Sequence, residues 1–257
     1  EQWRRNPEDS TALTRAPGAP DDKAGIAYDV SLEPTEKKYL PALDWPQTAP
    51  TGYYLSQEMT VYSDKPVQKI TQYAAQSSPQ PAPTGGLDDI ARQRALAFPT
   101  GLNKRTQALA KQWRAEAPDD RAYIERVLQW IRSDFSYTLA TELPGINAAD
   151  DFLFSEKKGF CQHFSSSFAL LMRAAGIPSR VVTGYAGGYK NPYGDYWVLY
   201  RKDAHAWNEV WLENEGWVRF DPTAAVAPEN ILDTLESAAG TESYFGEQSM
   251  FSPFFDY

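Results

Sequence analysis

Cysteine and histidine are the scarcest chemistry in this chain of 257 residues: one cysteine, Cys161, and two histidines, His163 and His205. A single thiol cannot close an internal disulfide, so no covalent staple supports the fold. A free thiol tolerates either redox setting, and near-absence of cysteine suits an exported protein. Zinc asks for three or four Cys, His or carboxylate ligands in tetrahedral array. Cys161 and His163 lie two apart, about 200° around a helix, and so cannot share an ion. The sequence therefore predicts no metal and no cofactor. Basic residues are outnumbered, 25 Lys and Arg against 34 Asp and Glu for a net charge of −9, and they form no stripe. Phosphate neutralisation needs such a patch, so nucleic acid is not an expected partner, and anionic membrane surfaces are disfavoured for the same reason. No apolar run approaches the roughly 20 residues of a membrane helix. The chain opens at "EQWRRNPEDS" without initiator Met or signal peptide, and is expected to be an excised piece of something longer or a processed form.

What the chain does have is aromatic surface. Phe, Trp and Tyr make up 14% of residues, with eight Trp and fifteen Tyr, which predicts large semi-polar buried surfaces and walls around a site. Hydrophobic residues at 42% and charged residues at 23% are ordinary for a globular protein. The length permits two modest domains with a core that needs no staples.

Up to about Ser78 the patterns are strands and turns. "IAYDVSL" alternates Tyr28, Val30 and Leu32 against Asp29 and Ser31, the period of a half-buried strand. "GYYLSQEMTVYS" and "VQKITQY" are further strand candidates, separated by turn chemistry. The reading is an all-β module over 1–78, then a Pro/Gly-rich linker over 79–86. Helical periodicity follows. "LNKRTQALAKQWRAE" sets Leu102, Leu109 and Trp113 on one face, and "DDRAYIERVLQWIRSDF" does so with Ile124, Val127, Leu128, Ile131 and Phe135, capped by Asp119 or Asp120. A third helix starts at or just before Cys161, buries Phe164, Phe168, Leu171, Met172 and Ala175, and stops at "GIP". The strands "RVVTGYAGG", "YWVLYR", "AHAWNEVWLE" and "GWVRFDPT" come next, joined by the hairpin-like loops "GGYKNPYGD" and "ENEG". Helices followed by an antiparallel sheet make an α+β fold, with a core over 87–228 and an extension over 229–257 that ends in aromatic-rich "MFSPFFDY".

A thiol attacks only as thiolate, and a helix N-terminus favours that anion. Cys161 falls where "KKGF" turns into a helix; the bland reading is a buried structural cysteine. His163 reads as a half-buried wall or surface residue. His205 lies in a strand with Trp207, Glu209 and Trp211 on its face, where a satisfied core histidine is the bland reading. It is also the imidazole able to reach Cys161 from another element and act as base. Such a base is oriented by an acceptor on its other nitrogen. In the next strand Trp217, Arg219 and Asp221 share a face, and a turn centred on Glu213 sets Asp221 opposite His205 to within a residue or two. The bland role for Asp221 is a turn former before Pro222. Together the three form an ordered set: nucleophile Cys161, base His205, carboxylate Asp221.

"GFCQHF", "HAWNEVW" and "GWVRFDPTAAVAP" resemble the transglutaminase-like superfamily, with its G-x-C helix start, H-x-W strand and D-P-T strand end. The likeness spans roughly Leu87 to Pro228. "VLQWIRSDFSYTL", "DDFLF", "LLMRAAGIPSRVVTGYAGG" and "NPYGDYW" look like its bacterial membrane-anchored, TgpA-like branch, and "YDVSLEPTEKKYLPALDW" is similar to the region preceding the core there. The resemblance implies a papain/transglutaminase-like core with a catalytic helix packed on an antiparallel sheet. It implies Cys161 as nucleophile, His205 as base and Asp221 as orienting carboxylate. It also implies a periplasmic portion of an inner-membrane protein, attached through segments absent from this chain, the 229–257 extension leading towards one of them. The implied reaction is acyl transfer from a glutamine-type carboxamide of a protein or peptide to an amine acceptor. Animal members use an upstream Trp as oxyanion donor, and Trp130 is not matched to it; no dense acidic calcium loop is visible. Two alternatives stay open: hydrolysis by the same triad, as a peptidase, amidase or deamidase acting on protein or cell-wall peptide, and a non-catalytic binding module.

Overall fold

The computed structural model describes residues 15–16, 25–78 and 86–227. The expected linker over 79–86 lies almost wholly outside the described residues, and the expected extension over 229–257 lies entirely outside them. The described residues divide into two compact units, one of residues up to Leu87 together with the turn Glu213–Gly216, the other of Asp88–Leu212 and the residues from Trp217 on.

In the first unit, β1 (Ile26–Leu32) pairs antiparallel with a strand further on, Thr71–Ser77, in the register Ile26↔Ser77 to Leu32↔Thr71. Tyr28, Val30 and Leu32 are half-buried while Asp29 and Ser31 face water, as the alternation predicts. Between them, β2 (Tyr39–Leu40), β3 (Tyr54–Leu55) and β4 (Val61–Tyr62) form a small sheet in the order β2-β4-β3, and the 71–77 strand is β5. Leu40, Leu55, Val61 and Tyr73 make its core. Two expectations shift here. "GYYLSQEMTVYS" is a hairpin rather than one strand, because the Ser56 hydroxyl accepts from both Glu58 N–H and Thr60 N–H and folds the chain back. "VQKITQY" enters the ladder only at Thr71, since Val67 is already bonded to the Thr35–Lys37 segment.

The second unit holds the helices α1 (Asp89–Leu96), α2 (Lys104–Glu116) and α3 (Asp120–Asp134). Asp119 caps α3, accepting from Ala122 N–H at 2.8 Å. Tyr123, Ile124, Val127 and Ile131 are its buried stripe. The short strand β6 (Ser136–Tyr137) follows, then α4 (Ala148–Asp151), which widens into a π turn (Phe152–Glu156), and β7 (Lys158–Gly159). α5 (Cys161–Ala174) begins at the cysteine, as predicted, and Phe164, Phe168, Leu171 and Met172 on it are fully buried. Each such side chain contributes about 2–3 kcal/mol of burial. Gly176, at φ +81°, ends the helix in the left-handed conformation that glycine adopts freely. β8 (Ser179–Tyr185), the ribbon β9 (Tyr189–Lys190) and β10 (Trp197–Val198), then β11 (Ala204–Leu212) and β12 (Gly216–Phe220) complete the unit. The main sheet has the order β12-β11-β8, and β11 pairs antiparallel with β8. The helices-then-antiparallel-sheet order expected from the sequence is the architecture found. Among the described residues no helix is long and apolar enough to cross a membrane.

The starts of α2 and α4 cap each other, which the sequence patterns do not announce. Asp150 accepts from Thr106 N–H at 2.8 Å, Thr106 Oγ1–H at 2.6 Å and Arg105 N–H at 3.1 Å. In return Asn103 Oδ1 accepts from Ala149 N–H at 3.0 Å and Asp150 N–H at 3.2 Å. Thr106 is fully buried, so removing the carboxylate strands its hydroxyl. Asp150→Ala is expected to lower unfolding free energy by about 2 kcal/mol, read as a shifted denaturant midpoint; an unchanged midpoint refutes this role.

Candidate active site

α5 delivers Cys161 to the site, and the segment before it sets the angle of entry. β6 runs parallel to β7, pairing Ser136↔Lys158 and Tyr137↔Gly159. The helix follows after Phe160. Cys161 N–H, one of the unpaired donors of a helix start, has no acceptor among the described residues. Cys161 itself is buried, at 6% exposure, and packs with Phe160 and Ala206.

His163 is not its partner. The His163 ring turns back over Gly159 and lies against Phe160 and Phe152, with centroids 4.5 and 5.6 Å away. Its Nδ1 faces Phe160 N–H at a long 3.5 Å. Burial pushes its pKa down, so it is a neutral wall residue. A Cβ on Gly159 would meet His163 Cβ and Cγ at 2.9 Å, and Cβ, tied to the helix backbone, cannot swing aside. Gly159→Ala is expected to cost about 1–3 kcal/mol of stability and to slow alkylation of Cys161 by tilting the helix start. A variant with native melting and native alkylation rate contradicts this.

His205 stands near the start of β11, where it approaches the cysteine. Nearly every residue of β11 is buried, because the sheet is covered on both sides. One side packs on α5: Ser165 Oγ–H donates to Ala206 O at 2.8 Å, and Asn208 Nδ2–H donates to Ser165 O at 3.0 Å. This reciprocal pair ties the strand to the helix one turn after Cys161. The other side is a layer of flat groups. His205 stacks with Trp207 at 6.2 Å, the Arg219 guanidinium lies 4.2 Å over Trp207, and Arg180 pairs with Glu209 at 2.6 Å. Trp207 and Trp211 are buried, as walls should be; Trp197 is 56% exposed and walls off nothing among the described residues.

Asp221 meets His205 directly. His205 Nε2 and Asp221 Oδ2 are 2.7 Å apart, with the two side chains 8% and 12% exposed. The turn before it, Glu213–Glu215, lies one residue later than expected, but Asp221 sits beyond the end of β12 and still reaches the ring. Its other oxygen, Oδ1, accepts from Thr223 N–H at 3.0 Å and Ala224 N–H at 3.3 Å. Turn former and histidine partner are therefore one residue using its two oxygens separately. With Nε2 engaged, Nδ1 is the nitrogen left for the cysteine, and Cys161 is near enough to act on the charge of His205. Burial opposes charge on His205, but the hydrogen bonds and negative charges of Asp221 and Cys161 outweigh it and raise its pKa to about 9. The arrangement can hold an imidazolium beside sulfur at neutral pH and pass a proton through Nδ1. Trp130 lies elsewhere, packed on Trp113, Phe135 and Phe154. No cluster of three or more His, Cys, Asp or Glu suited to a metal occurs among the described residues.

The family model described as "Transglutaminase-like superfamily" matches residues 107–222, and that described as "TgpA N-terminal domain" matches residues 1–84. The protein-glutamine gamma-glutamyltransferase of Pseudomonas aeruginosa is 38% identical over 229 residues, covering 89% of this chain and 34% of that protein. The uncharacterized protein YebA of Bacillus subtilis is 34% identical over 139 residues, covering 51% of this chain and 19% of that protein. The chain thus spans about a third or less of these two relatives. Crystal structures of the periplasmic domain of TgpA from Pseudomonas aeruginosa superpose with TM-scores of 0.78, at 39% identity over 83% of this chain and 74% of that one, and 0.77, in an ethylmercury-bound form, at 36% identity over 90% and 80%. With fold, core motifs and N-terminal region all matched, the chain belongs to the transglutaminase-like superfamily, in its TgpA-like branch.

Proposed function

We propose that this chain is the catalytic portion of a cysteine-dependent acyltransferase, moving the γ-acyl group of a peptide glutamine from its carboxamide to an amine. The observation that carries the reading is the His205–Asp221 pair, 2.7 Å apart, with the His205 pKa raised to about 9 by Asp221 and by the buried Cys161. Cys161 Sγ attacks the carboxamide carbon, and the C=O electron pair moves onto oxygen. As the intermediate collapses, the C–N bond breaks and ammonia leaves with the proton from His205 Nδ1. A thioester remains. An incoming amine attacks it, His205 takes the amine proton, and Sγ departs. Asp221 fixes the ring through Nε2.

The relatives solved as periplasmic domains support the same location for this chain, tethered to the inner membrane through segments outside it. The test of the reaction is product mass after incubation of a glutamine peptide with an amine probe. An amine adduct with loss of ammonia is expected. Deamidation without adduct, or two peptide fragments, moves the assignment to hydrolysis by the same residues. An unchanged peptide, with Cys161 inert to thiol reagents, sinks it in favour of a binding module.

A further inference from the structure

Acyl transfer through a tetrahedral intermediate needs donors aimed at the oxygen that becomes negative. Cys161 N–H is one. A single backbone donor leaves half of an oxyanion site unaccounted for, and the Trp130 ring is taken up in packing on Trp113, Phe135 and Phe154.

Tyr137 is held beside the nucleophile. It stands in β6 directly beside Gly159, two residues before the nucleophile, and the ladder bonds Ser136 N–H to Lys157 O (3.0 Å) and Thr138 N–H to Gly159 O (2.8 Å) pin it on both sides. Its ring packs against the cluster of Phe160, Cys161 and Ala206, together with Leu139 and Val181, and also touches the main core. The ring is thus fixed by two sets of contacts while the residue stays half-buried. A tyrosine hydroxyl in such surroundings ordinarily finds an acceptor. Tyr28, Tyr73 and Tyr123 do so, on Ser77 Oγ, Pro41 O and Leu171 O. No hydrogen-bond acceptor for Tyr137 occurs among the described residues, and the charged group it responds to is Cys161.

We propose that Tyr137 is the second oxyanion donor, its O–H joining Cys161 N–H on the substrate carbonyl oxygen as Sγ attacks. The inference rests on the reading of Cys161 as nucleophile. Burial pushes the Tyr137 phenol up to about 12, and the charge of Cys161 acts in the same direction. The phenol therefore keeps its proton over the whole range in which the His205 imidazolium persists. It donates a hydrogen bond and transfers nothing. The electron pair placed on oxygen during attack returns to the carbonyl as ammonia leaves, and the phenolic proton never moves.

Two small electrophiles separate this role from a structural one. p-Nitrophenyl acetate acylates the thiolate through a tetrahedral oxyanion, whereas iodoacetamide alkylates it by displacement at a saturated carbon with no oxyanion. Tyr137→Phe keeps the ring and its packing. It is expected to slow acylation of Cys161 by about 100-fold or more, with alkylation within about twofold of the parent. The unchanged alkylation rate also reports an intact site. Equal slowing of both reactions places Tyr137 on thiolate formation and overturns the proposal. No slowing of either overturns it too. If the parent protein is not labelled at Cys161 by either reagent, the nucleophile reading itself falls, a failure distinct from that of Tyr137.

Discussion

Alanine at Cys161 or at His205 is expected to lower amine incorporation by about a million-fold, to the level without enzyme, and the double substitution to lower it no further. The reason is that the two side chains act as one unit. Without sulfur there is no thioester for His205 to serve. Without His205 the thiol loses the base that takes its proton, and the leaving ammonia loses its proton donor. The influence of Cys161 on the His205 charge is the electrostatic form of that dependence. Independent contributions would multiply in the double variant, whereas a shared step cannot be lost twice. The measurement is initial rate with a glutamine peptide and a labelled amine. His163→Ala is the informative contrast: it removes a neutral ring packed on Phe152 and Phe160, not a proton carrier, and should retain most turnover. Substantial activity in Cys161→Ala, or a multiplicative double variant, removes this site as the source of catalysis.

The site was legible in the sequence because its three members sit on elements with strong local signals. Cys161 follows a turn and opens an amphipathic pattern whose buried stripe, Phe164, Phe168, Leu171 and Met172, is unambiguous. His205 and Asp221 lie on consecutive strands, so a single antiparallel register brings them together even with the turn displaced by a residue. What stayed hidden depends on contacts between elements distant in sequence. The mutual capping of α2 and α4 through Asn103 and Asp150 joins residues more than forty positions apart, and no periodicity encodes it. Tyr137 belongs to a two-residue strand, too short for alternation to register, paired parallel with another equally short one. Asn208 did leave a signal: an amide in an otherwise apolar strand face, fully buried, needs partners, and one of them is the backbone of α5. In the first unit, the Ser56 turn was missed because a hydroxyl bonding two backbone N–H groups looks, in sequence, like any serine inside a strand.

Asp221→Ala is expected to lower kcat by about 10²- to 10⁴-fold and to pull the alkaline limit of activity down from near pH 9 toward the ordinary histidine range. His205 carries a raised pKa, so its charged form persists as pH climbs and is lost on passing about 9. After burial, which works against the charge, the Asp221 hydrogen bond is the largest influence, and the Asp221 charge adds to it. Removing both leaves burial opposed only by Cys161. The imidazolium then gives up its proton at lower pH, and with it the ability to protonate departing ammonia. The ring also loses the contact that commits Nε2 and leaves Nδ1 toward sulfur, so turnover falls even where the charge survives. Asp221→Asn separates the two effects: an amide oxygen can still accept from Nε2–H, but the charge is gone. It should recover part of the lost kcat while its alkaline limit stays below that of the parent. The profile of kcat against pH reads both. An unshifted limit in Asp221→Ala would mean that something other than this carboxylate holds the proton on His205.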